Sequence, residues 1–418
     1  MPNMRVAVLV DLPREAAAGG HVKYWERLAQ AAARQDIPLD LTIYFSGAAG
    51  EEILAPHVRY RTLSPVFSTS RLKFLPYVPA HTDLAGFHPA LAQELTQYDV
   101  IHTTDAYFNF ARTAERIASW NKIPLATSFH TDTPAYAELF TRQTLLSLLG
   151  EKIGGFVADT FRLPARERAK KEKRLRAHLR KCAAIFAMRE ADIAVAREVA
   201  PGAMIVPMRL AADKTLFTPQ KAARALVDVQ HGIPPGRFVV LFVGRVDAGK
   251  NMPVLLEACA GSIAAGVDLH LLVTGLGPMS DEVKQKLGDR ATLAGQVMPE
   301  ELARFYASAD CLAMVSDIEI GGLVGVEALA SSCPVLVSRA SGAAGLLGYP
   351  AAMQEVSSGV EAWREALTKL AQDDARRAKM REDALAFRHD RLADWGDILQ
   401  VDFMPVWREL ARGGANVR

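Results

Sequence analysis

Short apolar runs alternate with longer stretches whose apolar residues recur every three or four positions, from one end of the chain to the other. MRVAVLV (4–10) precedes HVKYWERLAQAAARQ, and DVIHT (99–103) and PLATSFH (124–130) each lead into a helical period. A second series opens at RFVVLFVGR (237–245) and continues through DLHLLVTG, ATLAG, CLAMVS and PVLVS. Runs this short, bounded by Gly, Pro and polar turns, read as buried parallel strands, and the periodic stretches between them as covering helices. The expected fold class is α/β with two Rossmann-like units.

Between the two series, PGAMIVPMRLAADKTLFTPQ (201–220) supplies Pro and polar turn residues, which places a crossing near 202–220. The segment RRAKMREDALAFRHDRLADWGDILQVDFMPVWREL follows the last strand and reads as helix by its Leu, Trp and Ile spacing. The expected organisation is therefore an N-terminal domain over 1–205, a second over 206–385, and a C-terminal helix over 386–418 that packs back on the first.

A length of 418 residues suits two cores better than one, and 50% hydrophobic residues suffice to fill both. The net charge of +2 gives no general case for nucleic acid. Cys182, Cys259, Cys311 and Cys333 lie far apart with no metal-ligand spacing, as in a reduced protein without structural metal. The apolar run between Arg5 and Asp11 is too short for a signal peptide, and nowhere are there the ~18 uncharged apolar residues of a spanning helix. The expected location is the cytoplasm, at most peripheral on the inner face of the cell membrane.

Ligands of open parallel sheets bind beyond the carboxyl ends of strands, so the turns after strands are where chemistry is sought. After CLAMVS come Glu319, Gly321 and Gly322, then LVGVEALAS, a helix carrying Glu327. Glycines at a helix entry let backbone N–H groups and the helix dipole meet a phosphate, while the carboxylates can accept hydrogen bonds from sugar hydroxyls. The bland alternative is a helix-start charge and a solvated acid. After FVVLFVG come Arg245 and Lys250, two cations suited to a diphosphate, though surface cations are commonly only solvated. Gly19 and Gly20 precede the first helix, as a plain turn or a phosphate or acceptor loop. His130 ends a strand, where it can donate to a sugar hydroxyl or be a satisfied core residue. GxxxxGK[ST] and a strand-linked GxGxxG are both missing, against a P-loop NTPase or a standard dehydrogenase.

Together these stretches resemble the retaining GT-B glycosyltransferases of family four, which include phosphatidylinositol mannosyltransferases and sulfolipid synthases. GRVDAGKNMPVLLEA, LLVTGLGP, LAGQVMPEELARFYASADCLAMVSDIEIGGLVGVEALA and PVLVSRASG follow the family order between about 238 and 342. The resemblance implies a GT-B fold, two Rossmann-like domains facing across a cleft with a C-terminal helix crossing back. It assigns Glu319 to the donor sugar and Glu327 to the ribose. Arg245 and Lys250 go to the diphosphate with the amides of Gly322, Leu323 and Val324, and Gln296 and Val297 to the base through backbone groups. SFHTDTPAY is similar to the HTxxPxY element of lipid-glycosylating members, which makes His130 the active-site histidine, and Gly19 and Gly20 match the glycine loop near phosphates and acceptor. Departures are Ile320-Gly321, SSCPV, and Leu210-Ala211-Ala212-Asp213 where members carry NGVD or RGVD.

The implied activity is retaining transfer from a UDP- or GDP-linked sugar to an acceptor, a membrane lipid among the options, as in glycolipid biosynthesis. The alternative is a nucleotide-sugar-binding protein of the same fold without turnover. No Asp-x-Asp occurs, so neither a metal nor a cofactor is expected. RLPARERAKKEKRLRAHLRKC (162–182) carries ten Lys or Arg against two Glu and could rest on anionic headgroups or be a solvated, charge-laced helix; Leu175, Leu179 and Cys182 make a narrow apolar stripe along it.

Overall fold

The structure is a computed structural model, described for residues 3–15, 18–68, 83–347 and 351–415. Residues 1–2 and 416–418, at the ends of the expected first and third segments, lie outside that set. The chain forms two compact units, one of Met1–Arg209 with Trp395–Arg418 and one of Leu210–Asp394.

The first unit is built on β1 (Met4–Val10), β2 (Leu39–Ser46), β3 (Gly50–Ala55), β4 (Val58–Leu63), β5 (Val100–Thr103), β6 (Leu125–Ser128), β7 (Ala184–Ala187) and β8 (Met204–Pro207). Their order in the sheet is β3-β4-β2-β1-β5-β6-β7-β8, parallel except for the β3–β4 pair. Val6–Val10 of β1 are buried, as a central strand covered by helices on both faces requires. From β1 the chain builds outward one way to β2 and β4, and from β5 the other way to β8. The gap between the ends of β1 and β5 is thus the topological switch point of this sheet.

The second unit carries β9 (Phe238–Val243), β10 (Leu269–Thr274), β11 (Ala291–Gly295), β12 (Cys311–Met314), β13 (Val335–Ser338) and β14 (Met353–Val356), all parallel, in the order β11-β10-β9-β12-β13-β14. Here the order reverses between β9 and β12. Leucines and valines of these strands fill one core against Phe305, Tyr306 and Leu329 and another against Leu255, Trp363 and Leu367.

Two boundaries differ from expectation. Met204–Pro207, inside the expected crossing, pairs in register with β7, so the first unit runs to Arg209 instead of 205. The helical segment expected over 376–410 is interrupted. Helix Asp374–Asp390 belongs to the second unit, where the Arg388 guanidinium donates to the carbonyls of Lys214, Phe217 and Ala330. The chain then leaves helix, and Ala393 bridges Ala211. The change of unit therefore falls at Asp394/Trp395 instead of 385/386. Beyond it Phe403 stacks on Phe186 at 4.5 Å, and Trp407 is fully buried in the first unit. All four cysteines are free and buried.

Candidate active site

In the second unit the two loops at the switch point are tied to each other. After β9, Asp247 caps the turn Ala248–Lys250 by accepting the Lys250 amide at 2.9 Å. Asn251, held at φ 59, reaches over to the loop after β12, its Nδ2 donating to the Val315 carbonyl at 3.2 Å. Ser316 Oγ donates back to the Gly249 carbonyl at 3.4 Å. Lys250 Nζ and the Glu319 carboxylate are ion-paired. Arg245 is half exposed and pairs with Asp247 at 3.2 Å within its own loop.

The helix entry is a backbone device. Gly322 caps helix Leu323–Ala330 in the left-handed region at φ 73. A Cβ there would lie 2.8 Å from both Ala343 Cβ and Met314 Cε, so the position requires glycine for conformation and for space. The amides of Leu323 and Val324 have no hydrogen-bond partner among the described residues, as the first turn of a helix dictates. Glu327 lies one turn further in, where the buried Tyr306 hydroxyl donates to its carboxylate at 3.3 Å. Desolvation, with the Glu327 charge beside it, holds that phenol well above its ordinary pKa. Gln296 is exposed after β11, while Val297 is half-buried against the core.

In the first unit, Gly19 caps helix Gly20–Ala33, and His130 follows β6 by two residues, just before helix Thr133–Thr160. The structure surrounds His130 with groups that sequence reasoning missed. His21 stacks on it at 4.5 Å; Trp25 and Ser128 hydrogen-bond to its Nε2 at 3.1 and 2.9 Å. Ser128 also bonds His102 Nε2 at 3.0 Å. Burial holds His130 neutral, far below the ordinary histidine pKa, with His21 and His102 adding to the effect; burial lowers both of those to about 3. The one sequence signal was His21 directly after the glycine pair. Among the described residues, no three His, Cys, Asp or Glu side chains are grouped so as to hold a metal ion.

The basic helix is Leu163–Leu179, and its apolar stripe is used internally. Leu179 and Cys182 are buried in the core of the first unit and Leu175 packs against it, so that stripe does not face a membrane. Glu115, drawn down to a pKa of about 2 against its desolvation, binds His178 and Lys181 at 2.6 Å and Arg174 at 2.5 Å. Arg162, Arg166, Lys173 and Arg180 are exposed. Helix Thr133–Thr160 turns sharply at Gly150 (φ 78, ψ 164), and Leu148, Leu149, Ile153, Phe156 and Phe161 stand exposed around that turn and the one that follows. Among the described residues no helix is long and apolar enough to cross a membrane.

Residues 18–201 match the family model described as Glycosyltransferase Family 4, and residues 224–386 the model described as Glycosyl transferases group 1. A D-inositol 3-phosphate glycosyltransferase of Corynebacterium urealyticum is 34% identical over 198 residues, 41% of this chain and 44% of that one. The chain spans less than half of that relative's length. A sucrose-phosphate synthase from Thermosynechococcus elongatus superposes with a TM-score of 0.65 at 18% identity, covering 99% of this chain and 98% of the other. Anabaena HepE, solved in complex with UDP-glucose, gives a TM-score of 0.65 at 15% identity, covering 99% and 100%.

Proposed function

We propose that this chain, a member of the family-four glycosyltransferases with the GT-B fold, moves a sugar from a nucleotide-diphosphate sugar to an acceptor with retention of configuration. The observation that carries the reading is the pairing of two loops at the switch point between β9 and β12. One offers Lys250 and Arg245; the other offers Glu319 and two unpartnered helix amides. Cations and oriented amides together suit a diphosphate, and the carboxylates of Glu319 and Glu327 suit sugar hydroxyls.

In this reading the Lys250–Glu319 pair opens on donor binding, the ammonium turning to a phosphate oxygen and the carboxylate to a hydroxyl of the transferred sugar. Glu327, oriented by Tyr306, accepts from the ribose. As the bond from the anomeric carbon to the diphosphate oxygen breaks, charge grows on that oxygen, where Arg245, Lys250 and the amides of Gly322, Leu323 and Val324 stabilise it. The acceptor oxygen bonds the same face of the anomeric carbon, and its proton goes to the departing phosphate oxygen. Gln296 and Val297 meet the base through backbone groups. The first unit, with Gly19, Gly20 and His130, serves the acceptor. No step calls for a metal or a cofactor.

UDP is the proposed carrier, supported by the HepE complex with UDP-glucose. The acceptor is proposed to be a lipid reached from an anionic inner membrane surface. The support is the exposed apolar residues around Gly150 and Phe161 beside the exposed cations of helix Leu163–Leu179. A thermal-shift panel of UDP, GDP and ADP with their sugars tests the donor site. UDP compounds are expected to raise Tm of the wild type and to leave Lys250→Ala and Glu327→Ala unmoved. No rise with any nucleotide would refute the enzyme reading, and a rise without turnover on any acceptor would favour a binding protein of the same fold.

A further inference from the structure

His21 and His130 are half-buried imidazoles stacked 4.5 Å apart and 4° from parallel, beside the switch point of the first sheet. Their hydrogen bonds allow one proton placement each. An indole can only donate, and Trp25 Nε1–H donates to His130 Nε2 at 3.1 Å. That nitrogen is an acceptor, so the proton of the neutral ring sits on Nδ1. The same placement follows from the other side. Trp407 Nε1–H donates to His102 Nδ1 at 3.2 Å, which leaves the His102 proton on Nε2 to be donated to Ser128 Oγ at 3.0 Å. The Ser128 hydroxyl is then directed as a donor toward His130 Nε2, 2.9 Å away.

His21 has the reverse polarity. The Thr104 hydroxyl donates to the Leu9 carbonyl at 2.9 Å, so it accepts from His21 Nε2–H at 2.7 Å. His21 Nδ1 is left with a bare lone pair. Neither Nδ1 has a hydrogen-bond partner among the described residues.

We propose that His21 and His130 form a binding pair of fixed polarity, His21 Nδ1 accepting and His130 Nδ1–H donating, which recognises hydroxyl groups of a neutral sugar or polyol. The inference rests on reading the chain as a glycosyltransferase, and it adds His21 as a binding residue with Trp25 as the positioning residue of His130. A hydroxyl is donor and acceptor at once and satisfies both nitrogens. A sulfate or carboxylate carries only acceptors at neutral pH and would meet the lone pair of His21 unfavourably. Stacked 4.5 Å apart, the two rings also resist protonation, because a charge on one opposes a charge on the other and partial burial adds to this, which keeps the polarity constant across physiological pH.

The test is side-chain 15N NMR of the full chain labelled at histidine, with the two rings assigned through His21→Gln and His130→Gln. His21 is expected wholly as the Nε2–H form and His130 wholly as the Nδ1–H form, unchanged between about pH 7 and about pH 5, where an ordinary histidine titrates. Trp25→Phe combined with Ser128→Ala removes both donors to Nε2 and should turn His130 into an average of both forms while leaving His21 fixed; if that variant misfolds, the wild-type spectrum still decides. Adding glucose or myo-inositol should shift both Nδ1 resonances, and sulfate should not. Averaged or reversed tautomers in the wild type, a response to sulfate, or none to either polyol would overturn the proposal. The nucleotide thermal shift reads the second unit, so its survival beside a failed polyol result would remove this inference alone.

Discussion

Gly19 and Gly322 look alike in sequence, each closing a loop before a helix, yet they answer different demands. Gly322 sits at φ 73 with no room for a Cβ. Gly322→Ala is expected to cost about 1–3 kcal/mol in urea unfolding and to abolish the nucleotide-induced rise in Tm. Gly19 sits at φ −69, and a Cβ there would meet nothing within 4 Å. The fold does not require its glycine, so any requirement comes from a ligand. Gly19→Ala should leave Tm unchanged or slightly raised, while kcat/KM for transfer falls by about tenfold or more, as when a reacting group is displaced by a fraction of a bond length. Equal activity would remove that loop from the acceptor site.

The buried histidines also set a pH dependence. His102 is fully buried and neutral, with its pKa lowered to about 3 in the folded chain. The unfolded chain binds that proton near the ordinary value of about 6.5, so between the two values the unfolded state carries more protons and stability rises with pH. His102 alone should contribute a slope of up to about 1.4 kcal/mol per pH unit. Urea unfolding at a series of pH values below about 6.5 should therefore show steady loss on acidification. His102→Gln should flatten that slope, and an unchanged slope would contradict the assignment.

At the scale of elements, the long buried strands were legible because their apolar runs exceed what a turn can carry. β1, β9, β10 and the helix after Gly322 follow directly from MRVAVLV, FVVLFV, LHLLVT and LVGVEALA. β3 (GEEILA) and β4 (VRYRTL) lie at the sheet edge, where charged side chains reach water and blur the period. β7 (AIFA) has no Gly or Pro turn at either end to set it apart from the helical periods around it, and β8 lies between Pro201 and Pro207 and so reads as part of the crossing. The two loops at the second switch point are visible in the sequence as a spacing of cations, glycines and acids, whereas the ring network around His130 is not. Trp407 lies 305 positions from His102, and only the fold brings such residues together. The loops at the second switch point carry their own prediction. Nucleotide binding should slow amide hydrogen exchange at Leu323, Val324 and residues 245–251 while leaving the β13 amides unaltered. Protection confined to other loops would move the donor site.

At the scale of the molecule, the proposed membrane contact rests on the apolar side chains around Gly150 and Phe161 and on the charge beside them. Phe156 is 66% exposed and Ile153 62%, far above what a folded core leaves open. Of the ten cations in 162–182, Arg174 and Lys181 are committed to the buried Glu115, Arg168 pairs with Glu138 and Glu172, and Arg176 pairs with Glu198. Arg162, Arg166, Lys173 and Arg180 face solvent, and each near an anionic bilayer adds about 1 kcal/mol. Four together amount to about 4 kcal/mol, enough for two to three decades in partitioning. Phe156 and Ile153 would add shallow insertion. The full chain should therefore co-sediment with vesicles containing anionic lipid and not with neutral ones. Added salt should weaken the binding, because surface charge is screened within about 10 Å at 0.1 M ionic strength. Neutralising the four cations to Gln should lower partitioning by at least tenfold, and Ile153→Ser with Phe156→Ser should lower it further with Tm unchanged. Binding that persists through the charge neutralisation at high salt would show that the apolar side chains, and not the four cations, hold the chain to the bilayer.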